Sequence, residues 1–237
     1  MRLSTPLTLF LFAGVCFVFT SCDIEHRTEP TKLSAQASAD YSKTRETGDS
    51  KLEYDPFAGV NVIVWTDIYI LETPVFSYSN SGESDFFPAK KKVESFVSLK
   101  TGLGYVAKGQ KFKTGDTKTR FNYIELPVYG LYHYPLGESG SIYAGLGPYF
   151  AYGIGGKVKS QGFSENTFGE NNGGYKKFDA GLGFKVGYEF NAGLYMDISY
   201  ELGLANIAYA STDVKSHMRN ASLNVGYNLA NLIHKKK

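Results

Sequence analysis

The sequence predicts an all-β fold, a transmembrane antiparallel up-and-down β-barrel of eight strands. Three observations predict it. First, residues 178–190 alternate strictly. Phe178, Ala180, Leu182, Phe184, Val186, Tyr188 and Phe190 share one parity; Asp179, Gly181, Gly183, Lys185, Gly187 and Glu189 share the other. After Asn191-Ala192 the alternation resumes, setting Leu194, Met196, Ile198, Tyr200, Leu202 and Leu204 against Tyr195, Asp197, Ser199 and Glu201. A period of two sustained through both arms is a hairpin of two strands and not a helix.

The second observation is length. Globular strands average about 5–6 residues, whereas a tilted strand that crosses a bilayer needs roughly 9–11. The third is what stands on each face. One parity is aromatic and aliphatic without charge; the other is glycine with charges of both signs. Glycine weakens a strand and leaves nothing to pack. Facing inward across a narrow barrel, it leaves room for lysine and glutamate to meet. The apolar parity then faces lipid.

Bulk properties agree. The 237 residues carry 25 basic and 23 acidic side chains, so whole-chain charge points to no nucleic-acid partner. A mean hydropathy of −0.23 suits a membrane barrel, in which every second strand residue is polar. Met1-Arg2 and the apolar run 7–19 read as a secretory signal peptide, too short for a membrane-spanning helix. The expected plan is a signal at 1–22, a polar periplasmic segment at 23–56, the barrel at 57–229 and a basic tail at 230–237. Cys16 and Cys22 both lie within or beside the signal, which excludes a disulfide framework in the mature domain. Phe19-Thr20-Ser21-Cys22 resembles a bacterial lipoprotein signal and makes Cys22 a candidate for acylation; the alternative is cleavage near 20–22 without lipid.

Strands are expected at 58–66, 68–78, 95–108, 120–134, 141–154, 178–190, 193–204 and 220–229. Pro74 interrupts the second, and Pro127 suggests a bulge in the fourth. The connections 109–118, 155–177 and 205–218 are long, whereas 135–140 and 191–192 are short. Outer-membrane barrels show this asymmetry, with short periplasmic turns and longer outer loops.

The blocks SLKTGLGYVAKG (98–109), NYIELP (122–127), YAGLGPY (143–149), GLGFKVGYE (181–189) and YELGLANI (200–207) resemble a small outer-membrane β-barrel family abundant in Bacteroidetes, often labelled porin-like or PorT-like. The resemblance covers roughly 93–229. It implies an eight-stranded barrel in the bacterial outer membrane, with no catalytic residues and no cofactor. The chain departs from the family by continuing past its last strand into 230–237.

The inward parity holds Lys100, Glu125, Asp179, Lys185, Glu189, Asp197 and Glu201. Buried charges are tolerable only when paired, and an eight-stranded interior is just wide enough for side chains to fill. These residues, with Tyr123, Tyr129, Tyr143 and Tyr149, are expected to plug the lumen; the alternative is a narrow porin-like channel for ions or small solutes. Lys108, Lys111, Lys113, Lys118 and Arg120 cluster about one outer loop and are expected to contact lipopolysaccharide phosphates through charge-assisted hydrogen bonds. His133 and His217 are the histidines a lipid-modifying enzyme would use, but neither has a diagnostic neighbourhood. No metal-ligand spacing appears. The reading is a non-enzymatic barrel with a structural or interaction role, contacting outer-membrane lipid and an envelope partner the sequence does not name. An exported lipocalin-like barrel binding an apolar ligand would turn the same strands inside out.

Overall fold

The computed structural model describes residues 31–47, 53–78, 90–113, 116–169, 174–209 and 214–229, with backbone alone at 72–78, 90–94 and 138. Nine strands run in chain order: β1 (Lys32–Thr47), β2 (Tyr54–Tyr78), β3 (Lys90–Phe112), β4 (Lys118–Pro135), β5 (Gly140–Ser160), β6 (Phe163–Asn166), β7 (Phe178–Phe190), β8 (Leu194–Gly203) and β9 (Lys215–Asn228). Each pairs antiparallel with its neighbours, β4 continues onto β5, and β9 returns onto β1. Eight strands thus close a barrel. The ninth, β6, attaches only to the outer end of β5.

Parity explains why the sheet closes with its polar face inward. Val60, Val62, Val64, Leu126, Leu146 and Ile198 point outward and stay exposed, while Trp65, Tyr123, Tyr129, Tyr143 and Tyr149 of the opposite parity are buried. Aromatic residues edge the apolar band, with Tyr41, Tyr152, Phe178 and Tyr200 toward the long-loop end and Tyr132 and Phe190 toward the short-turn end. Aromatic girdles at both edges are what a bilayer-spanning barrel presents. The lipocalin-like inversion is therefore not the arrangement adopted.

The strand plan needs correction in three places. The stretch 23–56, expected as a polar periplasmic segment, contains the sixteen-residue β1. Its outward residues include Ala35, Ala37 and Ala39, and its inward ones Ser34, Gln36, Ser38, Asp40, Ser42 and Thr44. Small against polar gives little hydropathy contrast, so the strand reads like a tether. Second, the strands expected at 58–66 and 68–78 are one, the twenty-five-residue β2. A register shift between Tyr69 and Leu71 interrupts the alternation midway, leaving the adjacent Ile70 and Leu71 both exposed. Pro74 lies beyond the last β1 pair, Lys32↔Asp67, and the last β4 pair, Phe96↔His133. There β2 and β3 continue together as a two-stranded ribbon, where a missing N–H is tolerated.

Third, the bulge is not at Pro127, which pairs in register with Tyr149; the shift between β4 and β5 falls at Asn122/Tyr123. The outer loops are also shorter than expected, because β3 runs to Phe112 and β5 to Ser160. The expected signal peptide with Cys16 and Cys22, and the tail 230–237, lie outside the described residues.

Candidate functional site

The lumen is the first place where chemistry concentrates. At its outer half, Lys108 Nζ lies 2.7 Å from Glu125 Oε2 and 2.8 Å from Glu201 Oε2. Lys108 is fully buried, and Asn220 Nδ2 donates to Glu201 at 3.2 Å. The ammonium also stands 4.5 Å from the Tyr149 ring centroid, a cation–π distance. Tyr149 Oη in turn donates to Asp179 Oδ2 at 3.1 Å.

A second layer follows toward the short-turn end. Lys185 Nζ meets Asp197 Oδ1 at 3.0 Å, and Tyr143 Oη donates to Asp197 Oδ2 at 2.8 Å. Gln36 of β1 joins by accepting from Lys185 and donating to Asn224. In the third layer Lys100 Nζ lies 3.1 Å from Asp67 Oδ2 and 4.3 Å from the Tyr195 ring centroid. Glu189 sits at the rim, 3.3 Å from Lys32. All seven expected lumen charges therefore have partners, and three of the oppositely charged ones, Lys108, Asp67 and Lys32, stand outside the expected lumen set.

Lys108 is a correction. Expected at the lipopolysaccharide-facing rim, it is instead the cation of the outer lumen layer. The physical reason is that β3 does not end at residue 108 but runs on to Phe112, so Lys108 lies within the strand and continues the inward row of Ser98, Lys100 and Val106. Asp40 and Asp67 were missed because the strands that carry them were misread.

The glycines do something other than leave space for ion pairs. A Cβ at Gly183 would collide with the Tyr129 ring, at Gly226 with Tyr195, and at Gly187 with Tyr143 Cζ, 2.7 Å away. Tyr143 and Tyr195 lie over the glycines paired with them on the neighbouring strand, whereas Tyr129 of β4 reaches past β5 to Gly183 of β7. A gap at the centre, beside Gln36, Trp65, Tyr129, Lys185 and Asn224, has a cavity volume of about 10 Å³, room for about one water. Above it Phe121, Tyr123, Tyr149, Ile207 and Met218 form a buried cluster. Phe168 and Tyr175, from the connection between β5 and β7, pack onto that cluster.

The histidines are structural in their contacts. His133 Nε2 lies 3.0 Å from Ser98 Oγ, and its ring stacks on Phe96 at 4.3 Å. Among the described residues its Nδ1 meets no hydrogen-bond partner, and none of them supplies the third group that orients a catalytic base. His217 Nδ1 binds the Ala205 carbonyl oxygen at 3.1 Å.

Outside the barrel, Lys111, Lys118 and Arg120 are exposed at the long-loop end, as are Lys157 and Lys159 of β5. The register sets Lys111 opposite Lys118, Lys118 opposite Lys159, and Arg120 opposite Lys157. Lys113 differs, because its ammonium is 2.6 Å from Glu53 Oε2.

Comparison with known proteins bears on this architecture. Neisserial surface protein A aligns with 13% identity over 83% of this chain and 96% of its own, at a TM-score of 0.43. The outer membrane enzyme PagL aligns with 13% identity over 81% and 99%, at 0.39. OprG from Pseudomonas aeruginosa aligns with 12% identity over 83% and 95%, at 0.40. A search of characterised protein sequences found no match. The model of the outer membrane protein beta-barrel domain matches residues 34–209, beginning within β1. This chain belongs to that family and resides in the bacterial outer membrane.

Proposed function

We propose that the protein is a sealed, non-enzymatic barrel with a structural or interaction role at the cell envelope. The observation that carries this reading is the Lys108 clamp on Glu125 and Glu201 beneath a lid of aromatic side chains. A conduction path needs a continuous hydrated lumen, and the central gap has room for about one water. The alternative of a narrow channel for ions or small solutes is tested by planar-bilayer recording of the refolded protein. A sealed barrel gives no conductance steps; reproducible single-channel steps overturn it. The blocks at 98–109, 122–127 and 143–149 support placing the chain among the Bacteroidetes-type, PorT-like members of the family.

A second reading concerns lipid. Like charges placed opposite one another on neighbouring strands repel, yet Lys111, Lys118, Arg120, Lys157 and Lys159 form such a ladder. Among the described residues none of the five has an ion pair, though Lys157 donates to Asn166 and Arg120 to Asn122. The ladder stands just beyond Tyr105 and Tyr152 of the same face, at the level of lipid headgroups. Lipopolysaccharide phosphates would offset its repulsion through charge-assisted hydrogen bonds. This revises the expected set by replacing Lys108 and Lys113 with Lys157 and Lys159. Replacing the ladder residues by alanine should reduce the lipopolysaccharide retained through detergent purification; unchanged retention counts against the contact.

A further inference from the structure

The seam between β1 and β2 parts at its outer end. The two strands pair from Lys32↔Asp67 up to Ser42↔Phe57. Beyond that point β1 continues on β9 alone, as far as Thr47↔Lys215, while Tyr54–Pro56 of β2 pairs with β3. Side chains stitch the base of the opening, and higher up Tyr54 of β2 reaches Glu46 of β1. Gly109 N–H donates to Ser42 Oγ at 2.8 Å, and Thr44 N–H donates to Gln110 Oε1 at 3.1 Å. Above them lies an open cavity of about 740 Å³, a size usual for small-ligand sites.

Its charge is unbalanced in one place. Glu53 is taken up by Lys113. Glu46 accepts from Tyr54 Oη at 2.6 Å and from Ser216 Oγ at 3.3 Å. Lys43 and Arg45 line the cavity with no ion pair among the described residues, although the charge of Lys43 is felt at Glu53. Arg219, directly opposite Lys43, is held by donating to the carbonyl oxygens of Gly203 (2.7 Å) and Met218 (3.0 Å). Those bonds orient its guanidinium without neutralising it. Three cations on one outward face, two of them cross-strand neighbours, repel unless an anion joins them.

The next row toward the membrane completes the site. Ala221 pairs with Tyr41 on one side and with Tyr200 on the other. Both tyrosines are exposed and line the same cavity. A small residue between two aromatic rings makes a notch. Phenol rings with a hydroxyl at one end suit the mixed polar and apolar surface of a sugar, and the cations above suit a phosphate.

We propose that this parted seam binds a phosphorylated sugar, its phosphate held by Lys43, Arg45 and Arg219 and its ring laid between Tyr41 and Tyr200. The assignment deepens the lipid reading above by naming a walled subsite on another face, and it rests on that reading for the glycolipid as the phosphate donor. The same chemistry could be met by a soluble sugar phosphate, and the test separates the two sources.

The full-length protein, refolded in detergent micelles, is titrated calorimetrically with micellar monophosphoryl lipid A and separately with glucosamine 6-phosphate. Saturable binding of lipid A, weakened about tenfold or more by K43A/R45A, establishes the glycolipid site. Binding of glucosamine 6-phosphate alone, with the same loss in K43A/R45A, keeps the site and assigns it a soluble ligand. Y41A/Y200A should weaken either sugar ligand while leaving binding of inorganic phosphate unchanged. E53Q, which frees Lys113, should tighten binding. An unchanged heat-dependent gel shift shows that each variant is folded. The ladder variant K118A/R120A/K157A should leave this binding intact. Wild-type protein that binds neither probe, or binding lost in the ladder variant but retained in K43A/R45A, overturns the seam site; the second result leaves the ladder reading standing.

Discussion

Lys108 and Glu125 sit on neighbouring strands, their charged atoms 2.7 Å apart and both side chains buried. The same ammonium reaches Glu201 on β8, across the barrel. One lysine therefore ties opposite walls together, and two carboxylates depend on it. Removing one partner of a buried pair typically costs about 3–5 kcal/mol, because the remaining charge is left uncompensated.

K108M should accordingly lower stability by about that amount, read as an earlier urea midpoint in lipid vesicles by loss of the heat-dependent gel shift. K108M/E125Q/E201Q, which removes the stranded charges as well, should recover most of the loss. An equal loss in both variants would mean that volume, and not charge, holds the clamp.

The tyrosine seats make a separate prediction. G183V should destabilise by about 1–3 kcal/mol through its collision with Tyr129. Y129A in the same chain should relieve part of that cost, giving the coupling expected of residues in contact. Additive single effects would show that the two do not meet.

Deleting 32–47 while keeping everything before it tests the first strand. β1 supplies the partner of both β2 and β9, so its loss leaves two open edges and no closed barrel. The deletion should neither insert nor show a heat-dependent gel shift. A folded, inserted product would return this stretch to the role of a tether.

Glu53 lies outside the membrane-spanning part of β2 and is fully exposed. The hydrogen bond from Lys113, then the charges of Lys113 and Lys43, hold its carboxyl below the usual glutamate range. A depressed folded value means the pair is complete above that range and is lost as pH falls through the lowered value. Carboxyl NMR titration should give a midpoint below that of free glutamate, and K113A should move it back up.

How far the sequence reaches can be judged from particular strands. β7 and β8 were legible residue by residue, because large apolar side chains alternate with glycine and charge. β1 obeys the same parity but was illegible: alanine against serine offers almost no contrast, and only its two hydrogen-bonded neighbours reveal it as a strand. β2 was split in two because the register shift between Tyr69 and Leu71 and then Pro74 interrupt the alternation.

The charged lumen follows the same division. Which residues face inward follows from a period of two, a property of each strand taken alone, so the sequence determined the class, the lipid-facing side and seven of the inward charges, but not Asp40, Asp67 or Lys108. Which inward residue meets which is set by the relative stagger of strands far apart in the chain. Tertiary structure alone decided that Lys108 meets Glu201, that Gly183 seats Tyr129, and that the β1/β2 seam opens beside Lys43 and Arg219. Closing the sheet is what converts local alternation into particular neighbours, and no local pattern encodes that closure.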